Sequence, residues 1–353
     1  MNYQNDNGTG ILLQNQTYTI RFADSADNDR LCDLFQSTSF TGGLSVQYLR
    51  GQSPYDSFLA DGADARILLA IDRRADRLCA VGGAVIRREY LHGAAEKCAY
   101  LTGLKIHPDY RKKFPFLSKA YAFLHEAVAD CRICYTTILD DNQDAISLLE
   151  KRHKNMPEYR YLGHYTTYCF HGGKKLLPLE KNNMDGFDEL MKTYFSAMNL
   201  APADYGYGGF GEKTFYALRE NGRIIACCFA GNQQATKQYK MCAYGGIYRL
   251  VSKLPTRLLQ YPAFPKASAL IHHGVISYLY IKDHDPDLGR AFLRSVAADT
   301  DFSLLIWGGF ENNPLRPALD KMRTIRYGSR LYQVLWEDTP APRGIIGVEA
   351  ALL

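Results

Sequence analysis

The stretch Leu101-Thr-Gly-Leu-Lys-Ile-His-Pro-Asp-Tyr-Arg-Lys-Lys-Phe-Pro-Phe-Leu-Ser118 decides the fold. It reads as an apolar strand that runs into a basic loop, and the loop opens a helix. A second apolar strand ends at Asn142, and another helix follows it. Unpaired N–H groups and the helix dipole both favour anions at a helix N-terminus, so the basic loop predicts a phosphate site. Two neighbouring strands that end side by side predict a crevice for an extended cofactor.

This order resembles the GNAT superfamily, the acyl-CoA-dependent N-acetyltransferases, over about residues 17 to 170. The matching segments are 104–111, which reads LKIHPDYR, and 142–151, which contains Asn142, Ala145 and the run LLEK. In that family the first segment carries the coenzyme A pyrophosphate, and the second lies along the pantetheine arm. The resemblance implies acetyl-CoA as co-substrate. The cofactor-binding residues that it implies are Leu104, Lys105, Ile106, Arg111, Lys112, Lys113, Phe114, Phe116 and Asn142.

The basic loop departs from the family pattern at two positions. Phe114 stands where the family has glycine, and Phe116 stands where it has glycine or alanine, with Pro115 between them. Proline has no N–H to offer, and a phenylalanine side chain keeps the backbone from approaching a phosphate as closely as glycine allows. This departure motivates an alternative, in which the chain is a non-catalytic acyl-CoA-binding or regulatory protein.

Length and composition narrow the class of protein. A chain of 353 residues is long enough for two domains, and its 46% hydrophobic and 22% charged residues exclude disordered and fibrous classes. A net charge of +5 suits an anionic cofactor but is too small to argue for nucleic acid. The N-terminus lacks the pattern of a signal peptide, no apolar run approaches membrane-span length, and the nine cysteines form no disulfide framework or metal motif. We therefore expect a cytoplasmic protein that needs neither a membrane nor a metal.

The second half of the sequence repeats the outline of the first. The predicted strand 275–281 matches the strand that ends at Ile106, and the strand 303–307 runs to Asn312 as the earlier one runs to Asn142. The offsets are 175 residues between Ile106 and Ile281 and 170 between Asn142 and Asn312, which favours a duplicated unit. The predicted fold class is α/β (α+β), with two tandem GNAT-like domains, 1–172 and 173–353. Each would be a mixed, mostly antiparallel twisted sheet flanked by helices, and the segment 174–179 would be an edge strand of the second.

The two halves differ in charge at the matching loop. Arg111, Lys112 and Lys113 in the first half correspond to Asp283, Asp285 and Asp287 in the second. Acidic side chains that face a pyrophosphate oppose its binding. We therefore expect the first half to bind the cofactor and the second to be a degenerate copy.

Acetyl transfer to an amine needs three protein functions: loss of a proton from the amine, stabilisation of the carbonyl oxygen and protonation of the leaving thiolate. In the GNAT family a backbone N–H on the strand before the pyrophosphate loop holds the carbonyl, and that strand segment is Leu104 to Ile106 here. The family's thiolate acid is often a tyrosine beyond the second helix, and Tyr159 and Tyr161 lie in that region, with Tyr159 preferred. For the base, Glu96 is the nearest carboxylate to the strand.

The leading hypothesis from the sequence is an N-acyltransferase that moves an acetyl group from acetyl-CoA to a primary amine by direct attack in the first domain. The acceptor would be a small molecule or a peptide. Fem-type aminoacyl-tRNA-dependent peptidyltransferases also pair two such domains and remain an alternative. N-myristoyltransferases are a further two-copy relative. The sequence leaves the acceptor, the acyl chain length and the oligomeric state open.

Overall fold

The computed structural model describes residues 10–37, 44–111, 116–151, 153–171, 174–246, 248–252, 256, 261–262 and 264–353. Within them the strands are β1 (Ile11–Gln14), β2 (Tyr18–Phe22), β3 (Leu44–Leu49), β4 (Asp64–Asp72), β5 (Arg77–Leu91), β6 (Ala94–Ile106), β7 (Ile133–Leu139), β8 (Glu158–Phe170), β9 (Glu180–Lys181), β10 (Glu212–Glu220), β11 (Arg223–Asn232), β12 (Gln238–Tyr244), β13 (His273–Ile281), β14 (Leu304–Phe310) and β15 (Ile325–Leu335). The helices are α1 (Asn28–Gln36), α2 (Pro54–Leu59), α3 (Leu117–Ala127), α4 (Gln143–Leu149), α5 (Phe187–Thr193), α6 (Tyr248–Val251), α7 (Pro286–Ala298) and α8 (Arg316–Asp320).

One continuous sheet crosses the molecule. Its strand order is β1-β2-β4-β5-β6-β7-β15-β8-β14-β13-β11-β10-β9, and β3 pairs with β12 in a separate antiparallel ribbon. In the part of the chain that the structure describes, β6–β7 and β13–β14 are the parallel pairs, and the other pairs are antiparallel. The predicted mixed, mostly antiparallel sheet flanked by helices is therefore confirmed.

Helices cover both faces of the sheet. In the first half, α3 and α4 pack on one face with side chains such as Leu101 and Ile138, and α1 and α2 pack on the other with Leu69 and Val85. In the second half, α7 and α8 pack into one apolar core, and α5 packs into another. Side chains alternate across a strand, so central strands such as β4 and β5 supply apolar residues to a core on each face.

The two halves exchange their last strands. β15, from the end of the chain, lies between β7 and β8, and β8, from the first half, pairs with β14 of the second half. Each half therefore contributes a strand that the other half uses to continue its sheet. The boundary at residues 172 and 173 stays a prediction, and both residues lie outside the described part of the chain.

The predicted edge strand 174–179 is not a strand. The backbone N–H groups of Leu176 and Leu177 instead donate to the Ser295 hydroxyl on α7, each at 2.9 Å. A serine hydroxyl that satisfies two consecutive N–H groups holds the segment against the helix, and Pro178 cannot donate to a strand ladder. The sheet ends instead at the two-residue strand β9.

Parallel pairing in each half stops after three residue pairs and leaves an opening. β6 pairs with β7 from Cys98 to Tyr100, and β13 pairs with β14 from His273 to Val275. We call the opening between β6 and β7 beyond Tyr100 the first fork, and the opening between β13 and β14 beyond Val275 the second fork. Their starting residues, Cys98 and His273, are 175 residues apart.

Each fork also contains the same irregularity on its central strand. On β6, Thr102 and Lys105 pair with Gly83 and Val81, so two residues of β6 oppose one residue of β5. On β13, Ser277 and Tyr280 pair with Phe229 and Cys227 in the same two-to-one manner. The first bulged residues, Gly103 and Tyr278, both have positive φ, +71° and +52°. The register of the two halves thus repeats at an offset of 175 residues through the bulge.

No helix among the described residues is long and apolar enough to cross a membrane.

Candidate active site

The first fork begins where two tyrosines end the parallel pairing of β6 and β7. Tyr100 pairs with Tyr135, and beyond this point β7 is paired with β15 on its other side. Side chains close the base of the fork: the Thr136 hydroxyl donates to the Leu101 carbonyl, and the hydroxyls of Tyr100 and Thr137 are bonded, both at 2.7 Å. The edges of β6 and β7 beyond these bonds face each other without strand pairing, and this leaves backbone groups available to a ligand.

Gly103, the bulged residue of β6, was not among the predicted site residues. A Cβ at this position would lie 2.8 Å from the ring of Phe58, and its φ of +71° is a backbone conformation that disfavours other residues. Sequence did hold a signal for it, because an isolated glycine within an apolar strand indicates a bulge or a close backbone approach.

The N-terminus of α3 lies beyond the C-terminal end of β6, as the sequence predicts. The residue before α3, Phe116, makes no side-chain hydrogen bond to the helix, and the first turn contains no acidic residue. The Phe116 ring is partly buried and meets Tyr18 edge to face, with centroids 5.1 Å apart. The side chain therefore packs into the core of the first half. Arg111 is exposed at the end of a 3₁₀ turn, and the predicted residues Lys112, Lys113 and Phe114 lie outside the described residues.

The three predicted strand residues after the bulge have different environments. Leu104 is 43% exposed, whereas Ile106 packs against the core beneath α3. Lys105 turns toward α1, and its ammonium group donates to the Phe35 carbonyl at 2.6 Å. Burial, helped by the nearby charge of Arg111, lowers the pKa of Lys105 to about 8. Lys105 is thus held by the end of a helix.

Asn142 begins α4 as an N-cap. Its side-chain oxygen accepts the backbone N–H of Ala145 at 3.3 Å. Asparagine at an N-cap stabilises a helix whether or not it also contacts a ligand. The cap also places the residue at the C-terminal end of β7, beside the opening of the first fork.

The two predicted tyrosines have opposite environments. Tyr159 is buried between α3 and the sheet, and its hydroxyl is bonded to the hydroxyl of Tyr121. Burial raises the pKa of Tyr159 well above its usual value. Tyr161 is 51% exposed and leans on Tyr332, with ring centroids 5.8 Å apart. Partial burial raises its pKa as well, so both tyrosines are protonated at neutral pH.

The predicted base Glu96 is half-buried on β6, where it lies opposite Glu89 of β5. Sequence reasoning overlooked Glu89, which is fully buried with Arg87. The Arg87 guanidinium and the Tyr135 hydroxyl donate to the same Glu89 oxygen at 2.6 and 2.5 Å. Burial raises the pKa of Glu89, although both hydrogen bonds oppose that rise. Removal of either partner from such a buried charge pair strongly destabilises the fold, because the other charge is left buried and unpaired.

A second buried charged group lies under the ribbon of β3 and β12. Asp61 accepts from Arg50 at 3.2 Å and lies 2.8 Å from the ammonium group of Lys237. Burial lowers the pKa of Lys237 to about 8. Arg50 directly follows β3, in the first half of the chain, and Lys237 directly precedes β12, in the second half. Asp61 therefore links residues from the two halves.

The chain segment 350–352 reaches both buried groups. Arg87 donates to the Leu352 carbonyl at 3.0 Å, and Lys237 donates to the Ala351 carbonyl at 2.7 Å. Gln233 donates to the same Ala351 carbonyl at 2.8 Å. Buried donors therefore fix the backbone of this segment between the halves, next to the strands of the first fork.

Comparison with solved structures decides which fold this is. Saccharomyces cerevisiae N-myristoyltransferase with bound myristoyl-CoA is similar over 92% of this chain and 84% of its own, with a TM-score of 0.59 and 10% sequence identity. The chain shares a GNAT-like fold with N-myristoyltransferase. A second structure of the yeast enzyme, with myristoyl-CoA and inhibitors, gives a TM-score of 0.57 at 12% identity, over 92% of this chain and 81% of its own. This similarity confirms the predicted GNAT-like fold.

A GCN5-related N-acetyltransferase from Anabaena variabilis is 10% identical, over 90% of this chain and 72% of its own, with a TM-score of 0.48. No protein-family model and no curated protein sequence matches the chain.

Proposed function

We propose that the chain is an N-acyltransferase that moves an acetyl group from acetyl-CoA to a primary amine by direct attack in the first fork. One observation carries this proposal: an unpaired opening between two parallel strands has a positive-φ bulge on one strand and, at its end, a helix N-terminus that the preceding residue, Phe116, does not cap. The opening belongs to a fold shared with N-myristoyltransferase, whose solved structure holds myristoyl-CoA.

The pyrophosphate would lie at the N-terminus of α3. The first turn of this helix has no acidic side chain, and the residue before it, Phe116, provides no side-chain cap for its leading N–H groups. Such N–H groups and the helix dipole attract anions. Arg111 adds a positive charge at the same end, and the inward packing of Phe116 keeps its ring from covering the helix end.

The thioester carbonyl would lie against the bulge of β6. The N–H of His107 donates to Cys79 on β5, so the N–H of the preceding residue, Ile106, points toward the opposite edge of the strand. Gly103 has the same bulge geometry as Tyr278 in the second half, whose N–H donates to a side chain outside the sheet. We therefore assign the carbonyl contact to the segment from Gly103 to Ile106, which includes the predicted residues Leu104 and Lys105.

The transfer itself moves one acyl group and one proton. The amine nitrogen attacks the carbonyl carbon, the carbon–sulfur bond breaks, and the sulfur of coenzyme A leaves as a thiolate that takes up a proton. Tyr161 is exposed and protonated at neutral pH, so it is our first candidate for that proton donor; the buried Tyr159 is the second. Glu96 is the candidate to receive the proton of the amine, and the proton would have to reach it through water, because Glu96 stands seven residues before Gly103 on β6, about 23 Å along the strand.

A thermal melt with an acyl-CoA series tests the donor. Acetyl-, octanoyl- and myristoyl-CoA are compared with coenzyme A alone, and a ligand at about 100 times its dissociation constant adds roughly 2.7 kcal/mol to the free energy of unfolding. The proposal predicts an upward shift with acetyl-CoA. An upward shift with myristoyl-CoA but not with acetyl-CoA would mean that the donor is a long-chain acyl-CoA and not acetyl-CoA.

Release of free thiol with a panel of amines tests the reaction. Steady release that depends on both acetyl-CoA and an amine supports transfer. Binding without release from any amine favours the non-catalytic acyl-CoA-binding alternative, and absence of binding by every acyl-CoA removes the proposed function.

A further inference from the structure

The second fork repeats the backbone of the first but contains a side chain of its own. The N–H of Tyr278, the first bulged residue of β13, donates to the Glu349 carboxyl oxygen at 2.9 Å. Tyr278 is the first bulged residue of β13, as Gly103 is the first bulged residue of β6. An oxygen atom from the chain thus occupies the place in the second half that we assign to the thioester carbonyl oxygen in the first.

The helix at the end of the second fork, α7, is capped by a carboxylate of the chain itself. The Asp285 carboxylate accepts the N–H groups of Asp287 and Leu288 at 2.8 and 3.2 Å, and so caps α7. In the first half the residue before the corresponding helix, Phe116 before α3, provides no such side-chain cap. The N–H groups that would receive a phosphate are therefore already bonded in the second half.

Glu349 also lines the space within the second fork. It borders two small crevices, one with Leu279, Trp307 and Leu315 and one with Tyr207 and Phe210. Titratable groups that face Glu349 are Tyr165 on β8, Cys228 on β11, Tyr278 on β13 and Tyr194 just after α5, and burial raises the pKa of each, so all are uncharged near neutral pH. The carboxyl is thus surrounded by neutral groups.

The chain of the first half does not return to its own fork in this way: after β8 it runs on to β9, at the far edge of the sheet. The chain there leaves the first half instead of entering the fork.

We infer that Glu349 and Asp285 are internal stand-ins for the carbonyl and phosphate oxygens of an acyl donor. The second half is therefore closed to acyl-CoA, and each chain binds one donor, in the first fork. This inference rests on the function proposed above. It predicts that Glu349 holds its position in the absence of any ligand.

Hydrogen–deuterium exchange of the intact chain tests the inference. With saturating acetyl-CoA, we expect slower exchange in peptides that cover 101–106 and unchanged exchange in peptides that cover 276–281. Protection of 276–281 would overturn the inference and leave acyl-CoA binding intact. Absence of protection in both segments would instead overturn the proposed function, together with the assignment of a single donor site.

Two variants test the internal contact without any ligand. In Glu349→Ala, the Tyr278 N–H loses its acceptor, and its exchange should accelerate roughly five- to tenfold, as the loss of one net hydrogen bond implies. Glu349→Gln keeps an acceptor oxygen and should retain slow exchange even if the alanine variant folds poorly. The exposed Glu337→Gln serves as the matched control. Equal Tyr278 exchange in Glu349→Ala and the native chain would show that the carboxyl does not occupy this position.

Discussion

At the scale of single residues, Glu349 makes the stability of the fold depend on pH. Burial raises its pKa to about 8, although the Tyr278 N–H opposes the rise, whereas an unfolded glutamate titrates near 4.3. Between these values the folded chain binds more protons than the unfolded chain. The stabilisation is complete below about pH 4.3 and is lost as pH rises to about 8, at up to ~1.4 kcal/mol per pH unit.

Glu349→Gln should remove this pH dependence, because an amide does not titrate. We expect chemical denaturation of the variant to give a flatter profile of unfolding free energy between pH 5 and 8 than that of the native chain. Glu337→Gln, at an exposed position, should keep the native slope. An unchanged slope in Glu349→Gln would mean that another group causes the pH dependence.

Gly103 permits a second test at the same scale. Gly103→Ala imposes a Cβ on a φ of +71° and places it 2.8 Å from the Phe58 ring. We expect a loss of more than the about 1–2 kcal/mol that a left-handed backbone alone costs, together with weaker acyl-CoA binding. Gly93→Ala is the matched control, since Gly93 has a φ of +86° and nothing within 4 Å of its Cβ position. Chemical denaturation measures the loss of unfolding free energy, and thermal melts with acyl-CoA measure the loss of binding. Equal losses in the two variants would contradict the close approach of residue 103 to the Phe58 ring.

The buried pair of Arg87 and Glu89 predicts a large effect from a single truncation. Arg87→Ala leaves Glu89 buried without its cation and should cost about 3–5 kcal/mol of unfolding free energy. The neighbouring Arg88 is exposed on the other face of β5, so Arg88→Ala should cost under about 0.5 kcal/mol. Denaturant midpoints of the two variants compare them directly, and similar midpoints would argue against the buried pair.

At the scale of elements, the exchanged strands predict that neither half folds alone. A fragment of residues 10–171 lacks β15, so the edge of β7 loses its partner and β8 loses both neighbours. We expect this fragment to show no cooperative unfolding transition by circular dichroism, and we expect the transition to return when residues 174–353 are added in equal amount. Independent folding of both fragments would support the two separate domains that the sequence predicts.

Sequence patterns found the local elements of this fold but not their partners. The apolar strand, basic loop and helix around residues 101–127 follow from hydrophobic periodicity, and the offsets of 175 and 170 residues predicted a repeated unit in the second half. The insertion of β15 beside β7 was not predicted, because strand pairing across nearly 200 residues leaves no local signal. The segment 174–179 was misread since its N–H groups bond to a single serine on a distant helix.

The candidate site was only partly predictable for a similar reason. Asn142 and Arg111 stand in sequence motifs, whereas Glu349 becomes relevant only through its contact with Tyr278, 71 residues earlier. Arg87 and Glu89 lie in an apolar strand that reads like its neighbours, and burial of both charges requires the fold of the second half. Gly103 could be noticed as an isolated glycine in an apolar strand, but only the register of β5 and β6 shows that it is the bulged residue.

At the scale of the whole molecule, β15 belongs to the second half in sequence and to the wall of the first fork in space. Deletion of the second half would remove the strand that completes β7, so the second half supports the first fork whether or not its own opening binds a ligand. If acyl-CoA binds only in the first fork, as we propose, the second half serves the reaction as a structural support.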